Sequence, residues 1–145
     1  MPETLQPVFS KFVVASAAQT STTTTASITL PLADSYTFIQ DVTAASGTSP
    51  TLDTALQISP DGGTTFYSVM RFAQVTTTNQ QRITFQPIQG RGEASSQAAL
   101  ADTGGQVTAN QPISTIIKFK FTIGGTSPSF TVQIAMFAAP RATAV

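Results

Sequence analysis

The sequence predicts an all-β protein, an antiparallel β-sandwich. Three observations carry that expectation. Hydrophobicity alternates with a period of two rather than 3.6. The alternating stretches are rich in Thr, Phe, Ile and Val, residues that fit a pleated, half-buried surface. Gly- and Pro-containing turn signals separate them at short intervals.

The elements follow in chain order. Met1–Ser10 holds Pro2 and Pro7 and shows little periodicity, so residues 1–11 read as an extended N-terminal arm. Ala26, Ile28 and Leu30 alternate with Ser27 and Thr29 before Pro31 ends the run. In Ser35–Val42, Tyr36, Phe38, Gln40 and Val42 share one face, with Ile39 and Asp41 on the other. Thr51–Ile58 places Leu52, Leu56 and Ile58 on one side and Asp53 and Gln57 opposite. Phe66–Val75, Arg82–Phe85, Thr115–Ile123 and Ser129–Phe137 have the same character. Gln86–Gln111 carries Pro87, Gly90, Gly92, Gly104 and Gly105 and few bulky apolar residues, so residues 86–111 read as one long loop. Within it only Ala94–Ala101 is helix-friendly, and it is too short to hold a helix alone. The expected organisation is an arm (1–11), a sandwich (12–138) and a C-terminal tail (139–145). Seven or eight short strands of this kind fit an immunoglobulin-like or jelly-roll-like sandwich.

An internal echo runs through the chain. Gly47-Thr48-Ser49-Pro50-Thr51-Leu52 is matched by Gly125-Thr126-Ser127-Pro128-Ser129-Phe130. The apolar phase continues after both copies, with Leu52, Leu56 and Ile58 corresponding to Phe130, Ile134 and Met136, and Thr54 to Val132. Each copy reads as a strand–turn–strand unit. Gly47 and Gly125 would supply the turn backbone, and Pro50 and Pro128 would open the next strand.

Composition excludes much chemistry. The 145 residues contain seven Lys+Arg against seven Asp+Glu, no His, no Cys and no Trp, and charged residues make up 10%. A typical soluble domain has about 25%. The deficit is filled by 25 Thr, 14 Ser and 13 Gln. No disulfide, thiol nucleophile or Cys-ligated zinc is possible, and the commonest general base and metal ligand are missing. Zero net charge with scattered basic residues leaves no electrostatic footprint for a nucleic acid. No apolar run approaches the length of a membrane-spanning helix, and Met1–Lys11 lacks the apolar segment of a signal peptide. So uncharged a surface suits a protein packed into an assembly.

Few motifs offer chemistry. Ser59-Pro60-Asp61-Gly62-Gly63-Thr64-Thr65-Phe66 fits S-x-D-x-G-x-T-aromatic and resembles the Asp-box of sialidases and related β-propellers, with Phe66 where Trp is usual. The chain has one copy and is too short for a propeller. Asp61, Gly62 and Gly63 therefore read as a self-capped hairpin turn. A glycosidase would need paired acids, drawn from Asp34, Asp41, Asp53, Asp61, Glu93 and Asp102. Asp41 and Asp53 flank the Gly47 turn and would face each other, but alternation sets both opposite the large apolar residues, as solvated positions. Arg71 and Arg82 are expected as cross-strand neighbours around Thr76–Gln81. Lys118 and Lys120 alternate with Phe119 and Phe121 as an inside/outside strand, and Thr22–Thr25 reads as a β-favouring Thr ladder. No catalytic, cofactor-binding or metal-binding residue is assigned.

Three blocks in order carry a resemblance: Asp41–Asp53 (D-V-T-A-A-S-G-T-S-P-T-L-D), Ser59–Phe66, and Thr122–Phe130 (T-I-G-G-T-S-P-S-F). Over roughly Ser35–Phe137 the chain resembles a group of small structural proteins of tailed-bacteriophage virions. The resemblance implies a β-sandwich structural component of the virion, expected to be made in the host cytoplasm, and no nucleophile–base–orienter set among the residues suggests an enzyme. The resemblance does not by itself assign the chain to capsid, neck or tail; the expected role is a capsid cement (decoration) protein on the outer surface of the head. Its expected partners are the major capsid protein and copies of itself, as a trimer or dimer, with no nucleic acid and no membrane. Val8, Phe9 and Phe12 are the expected anchors of the arm. The alternatives are a neck, tail or baseplate component, or a carbohydrate-binding module in which Tyr67 would stack on sugar rings.

Overall fold

The computed structural model describes residues 9–85 and 115–139. They form one antiparallel sheet of seven strands: β1 (Phe9–Gln19), β2 (Thr23–Thr24), β3 (Ile28–Thr29), β4 (Ser35–Ile58), β5 (Tyr67–Arg71), β6 (Asn79–Phe85) and β7 (Ile116–Ala139). The expected all-β antiparallel fold is present. The loop at 86–111, with Ala94–Ala101, and all of the C-terminal tail but Ala139 lie outside the described residues.

Two 24-residue strands, β4 and β7, are the spine, paired from Ser35–Ala139 at one end to Ile58–Ile117 at the other. A straight strand of that length would span about 80 Å, whereas a chain of this size has a radius of gyration of about 15 Å. The spine must therefore double back, and two observations show that it does. Leu30 N–H donates to Thr115 C=O (2.7 Å) and Asp34 N–H donates to Ala139 C=O (2.8 Å). Four residues reach at most about 14 Å, so the two ends of β7 lie close together. The Phe38 and Phe119 rings, far apart along the ladder, meet edge to face with centroids 5.6 Å apart.

The two layers of the sandwich are thus two halves of one folded sheet. In the first, β1 flanks the Phe130–Ala138 part of β7 and β6 flanks the Tyr36–Val42 part of β4. In the second, β2 and β3 flank Ile116–Phe121 of β7 and β5 flanks Ala55–Ile58 of β4. Between them lies the core, with Phe38, Val42, Phe130, Val132, Ile134 and Met136 facing Leu52, Leu56, Met70, Phe72, Phe119 and Phe121. The alternation read from Ser35–Val42 is seen directly, since Tyr36, Phe38, Gln40 and Val42 are all buried.

The fold-back sits at the repeated motif and corrects its reading as two hairpin turns. Gly47 and Pro50 lie inside β4, and Gly125 and Pro128 inside β7, and the two copies pair with each other. Thr48 opposes Thr126. On one side of that pair Gly47 alone faces Ser127-Pro128; on the other Gly125 alone faces Ser49-Pro50. Two residues against one is a β-bulge, and here two bulges are set back to back in opposite strands, which bends both. Each proline falls where the ladder is interrupted, so its missing N–H costs no hydrogen bond. Ser49 (φ 48°) and Ser127 (φ 49°) adopt the left-handed backbone, and Gly47 and Gly125 have φ of 114° and 105°. The echoed phase is real: Leu52 and Leu56 are fully buried, as are Phe130, Ile134 and Met136.

The expected arm also ends earlier than residue 11. Phe9, Ser10 and Lys11 pair with Ala138, Phe137 and Met136, so these three residues belong to the first layer. The Thr ladder becomes an edge: Thr23 and Thr24 pair with Phe121 and Lys120, while Thr22 and Thr25 hydroxyls accept from the Ile123 and Phe119 N–H groups, each at 3.0 Å.

The core carries an imperfection. Thr54 Oγ1 and Gln40 Oε1 are buried without a hydrogen-bond partner among the described residues. Thr54→Val keeps the shape and removes the orphaned hydroxyl. It should raise stability by about 1 kcal/mol, read as an upward shift of the urea midpoint at constant slope.

Candidate functional site

The Asp61 turn joins β4 to β5 and is built around its own carboxylate. Oδ1 accepts hydrogen bonds from Thr65 N–H (2.8 Å), Thr64 N–H (3.1 Å) and the Ser59 hydroxyl (2.9 Å), and Ser59 Oγ in turn accepts from Gly63 N–H (2.8 Å). Gly62 (φ 78°) and Gly63 (φ 106°) supply the backbone that closes the ring. Ser59 N–H donates to Ile116 C=O, which ties the turn to the spine, and the Lys118 ammonium lies 4.0 Å from the centre of the Phe66 ring. Both bonds from Thr65, backbone first and side chain second, hold the Asp61 carboxyl down at about 2, with smaller help from Ser59 and Thr64. Every donor around it comes from its own turn, which makes it a structural cap.

That carboxyl has a pH signature. Its folded value lies below the ordinary 3.8, so its contribution to stability is complete above that value and is lost as pH falls through about 2. An NMR titration should place the Asp61 carboxyl midpoint near 2. Asp61→Ala should remove the part of the acid destabilisation that falls between those two values.

Glu93 and Asp102 lie outside the described residues, and Asp41 and Asp53 do not face each other, since Asp41 opposes Gln133 and Asp53 opposes Thr122. The Gln133 amide donates to Asp41 Oδ2 (3.1 Å) and the Gln74 amide to Asp53 Oδ2 (2.9 Å). Asp53 is buried rather than solvated: the segment after β5 runs along the edge of β4, where Leu52 and Val75 exchange main-chain hydrogen bonds and Phe72 N–H donates to Thr54 C=O, and it carries Gln74 to the Asp53 carboxylate. Arg71 and Arg82 are not cross-strand neighbours. Arg71 opposes Ala55 and Arg82 opposes Ile39, at opposite ends of β4. In place of a β5–β6 ladder, the Gln81 side chain both accepts from Ala73 N–H (2.8 Å) and donates to Ala73 C=O (2.9 Å). An open groove of about 400 Å³ is lined by Ile39, Gln80, Gln81 and Arg82. It contains no carboxylate, and no nucleophile–base pair lines it. Among the described residues no three acidic side chains gather as a metal site would require.

Several large apolar side chains are exposed instead. Phe9 (45% exposed), Phe12 (62%), Leu32 (91%) and Phe137 (40%) all lie at the Ser35–Ala139 end of the first layer. Ser10 opposes Phe137 and Phe12 opposes Ala135, which sets Phe12 and Phe137 diagonally on the outer face. Phe9 points to the other face, where the Lys11 ammonium lies 5.9 Å from its ring centre. Two of the three expected anchors, Phe9 and Phe12, are therefore on the surface; Val8 lies outside the described residues. Tyr67, on β5 in the second layer, is 60% exposed and pairs with Ile58.

Comparison of the chain with protein-family models, curated proteins and solved structures returned no match.

Phe137 and Leu32 extend the surface beyond the sequence reading. Phe137 had a legible signal, because it falls out of phase with the buried Met136 and Ala138. An aromatic on the outward phase of a regular strand is an exposed aromatic. Leu32 sits between Pro31 and the start of β4, where no periodicity marks it.

Proposed function

We propose that the chain is a structural virion component, a capsid cement protein that lies on the outer surface of the head, binds the major capsid protein and bridges neighbouring capsomers. The observation that supports this reading is the exposed apolar pair Phe12 and Phe137 on the outer face of the first layer, with Phe9 exposed on the other face and Leu32 exposed near the same end, on an otherwise Thr- and Ser-rich, nearly uncharged surface. Such a patch adheres by excluding water and needs neither a nucleophile nor a proton acceptor. The resemblance of the GTSP, SPDGGTT and GGTSPSF blocks to virion proteins supports the same reading. Stabilisation would follow from mass action: whatever binds only the assembled shell shifts its equilibrium away from disassembly, and many copies multiply the effect.

The test uses shells assembled from the major capsid protein. Wild-type chain should co-sediment with them and raise the temperature at which they break. Phe12→Ser combined with Phe137→Ser should lose both effects with unchanged far-ultraviolet circular dichroism, because both side chains are exposed in the isolated chain. Each buried Phe contributes roughly 2 kcal/mol, so binding should weaken by about a hundredfold or more. Binding to neck, tail or baseplate assemblies instead would move the chain there. Binding to a glycan array that Tyr67→Ala abolishes would make it a carbohydrate-binding module.

A further inference from the structure

Among the described residues, the outer edge of β1 is an open strand edge. β1 pairs with β7, and on the other side its main chain meets none of the described strands. Natural edges are blunted by charge, proline, bulges or brevity. This one is eleven residues long, contains no proline and has a single charge, Lys11. Its two register shifts, between Phe12 and Val14 and between Val14 and Ala17, leave Phe9–Phe12 as a regular stretch. That stretch is exposed on both faces, with Phe9 on one and Phe12 on the other.

We propose that this edge is the dimer interface of the protein: β1 of one copy pairs antiparallel with β1 of a second copy, joining two first layers into one continuous sheet. A second copy fits better than a charged partner because the edge offers almost no charge to complement, and two neutral chains do not repel. A two-fold axis perpendicular to the sheet places each residue of the axial position opposite itself. An axis at Lys11 would oppose two ammonium groups, whereas an axis at Ser10 sets each Lys11 opposite the other copy's Phe9. That repeats between chains the ammonium–ring pairing that Lys11 and Phe9 already make within one. Ser10 is exposed and free to occupy the axis. The interface does not depend on the virion reading and is tested in solution.

The absence of Cys makes the test direct. In sedimentation velocity the full-length wild type should run at twice the chain mass. Ser10→Cys should cross-link on mild oxidation, and Tyr67→Cys, at the far end of the sheet, should not. Ser10→Lys should be monomeric with unchanged circular dichroism. An equimolar mixture of Ser10→Lys and Ser10→Glu chains should restore the dimer, which excludes misfolding as the cause of the loss. A wild type that stays monomeric at its highest soluble concentration would overturn the proposal. So would a dimer that Ser10→Lys leaves intact or that cross-links through residue 67.

Discussion

Gly125→Ala should lower the stability of the protein by at least about 3 kcal/mol, a large share of what a domain of this size has. Two costs combine. At φ 105° an L side chain is strained wherever it is placed, and a Cβ here would lie 2.7 Å from Ser49 O and 2.9 Å from Pro50 Cα. Both neighbours are main-chain atoms of the opposing bulge, so no rotamer change relieves the clash. Gly47→Ala should behave alike, since its Cβ would lie 2.8 Å from Ser127 O and 2.9 Å from Pro128 Cα. Gly62→Ala is the control: it shares a positive φ of 78° but meets nothing within 4 Å, so it should cost only about 1 kcal/mol. Denaturant midpoints at constant slope give the comparison. The double variant at residues 47 and 125 should cost less than the sum of the singles, because either one opens the corner that both need.

Phe119→Ala should cost about 3–5 kcal/mol, and Phe38→Ala a similar amount. Both side chains are fully buried, and they come from the two different layers. Their contact is therefore a direct gauge of whether the folded sheet stays closed. A double-mutant cycle on the two should return a coupling of about 0.5–1.5 kcal/mol beyond simple burial. A coupling of zero with the single losses intact would mean that the layers are held by the rest of the core and not by this ring pair.

The contrast between these sites marks what was legible in the sequence. Phe38 and Phe119 were readable as inward residues because each sits in a clean period-two run, and burial follows phase locally. The Asp61 turn was readable because its donors lie within a few residues of the carboxylate. The GTSP motifs were visible as a repeat but not as reciprocal bulges. Gly and Pro interrupt a strand in the same way at a turn and at a bulge, and only the distant partner decides between them. β1 escaped notice for a different reason. Of its side chains only Val14 is buried, so it carries no alternation, and β7 holds it largely through the main chain. Asp53 departs from its expected solvated position because alternation assumes one wet face, and here the Gln74 side chain, carried by the segment that pairs with Leu52, lies against the carboxylate.

The pairing of β4 with β7 also dictates when the protein can fold. Every rung of the central ladder joins residues from distant parts of the chain, beginning with Ser35 and Ala139. During synthesis β4 leaves the ribosome with β5 and β6 as its next described partners, and its longest edge waits for β7 to be made. Closing such long loops precedes any reward from the contacts, so folding should be slow and late. Until then an apolar, nearly uncharged strand stands open to other nascent chains, a hazard for aggregation. Yield in the cell should therefore depend on translation speed and temperature more steeply than the stability of the finished sandwich would imply.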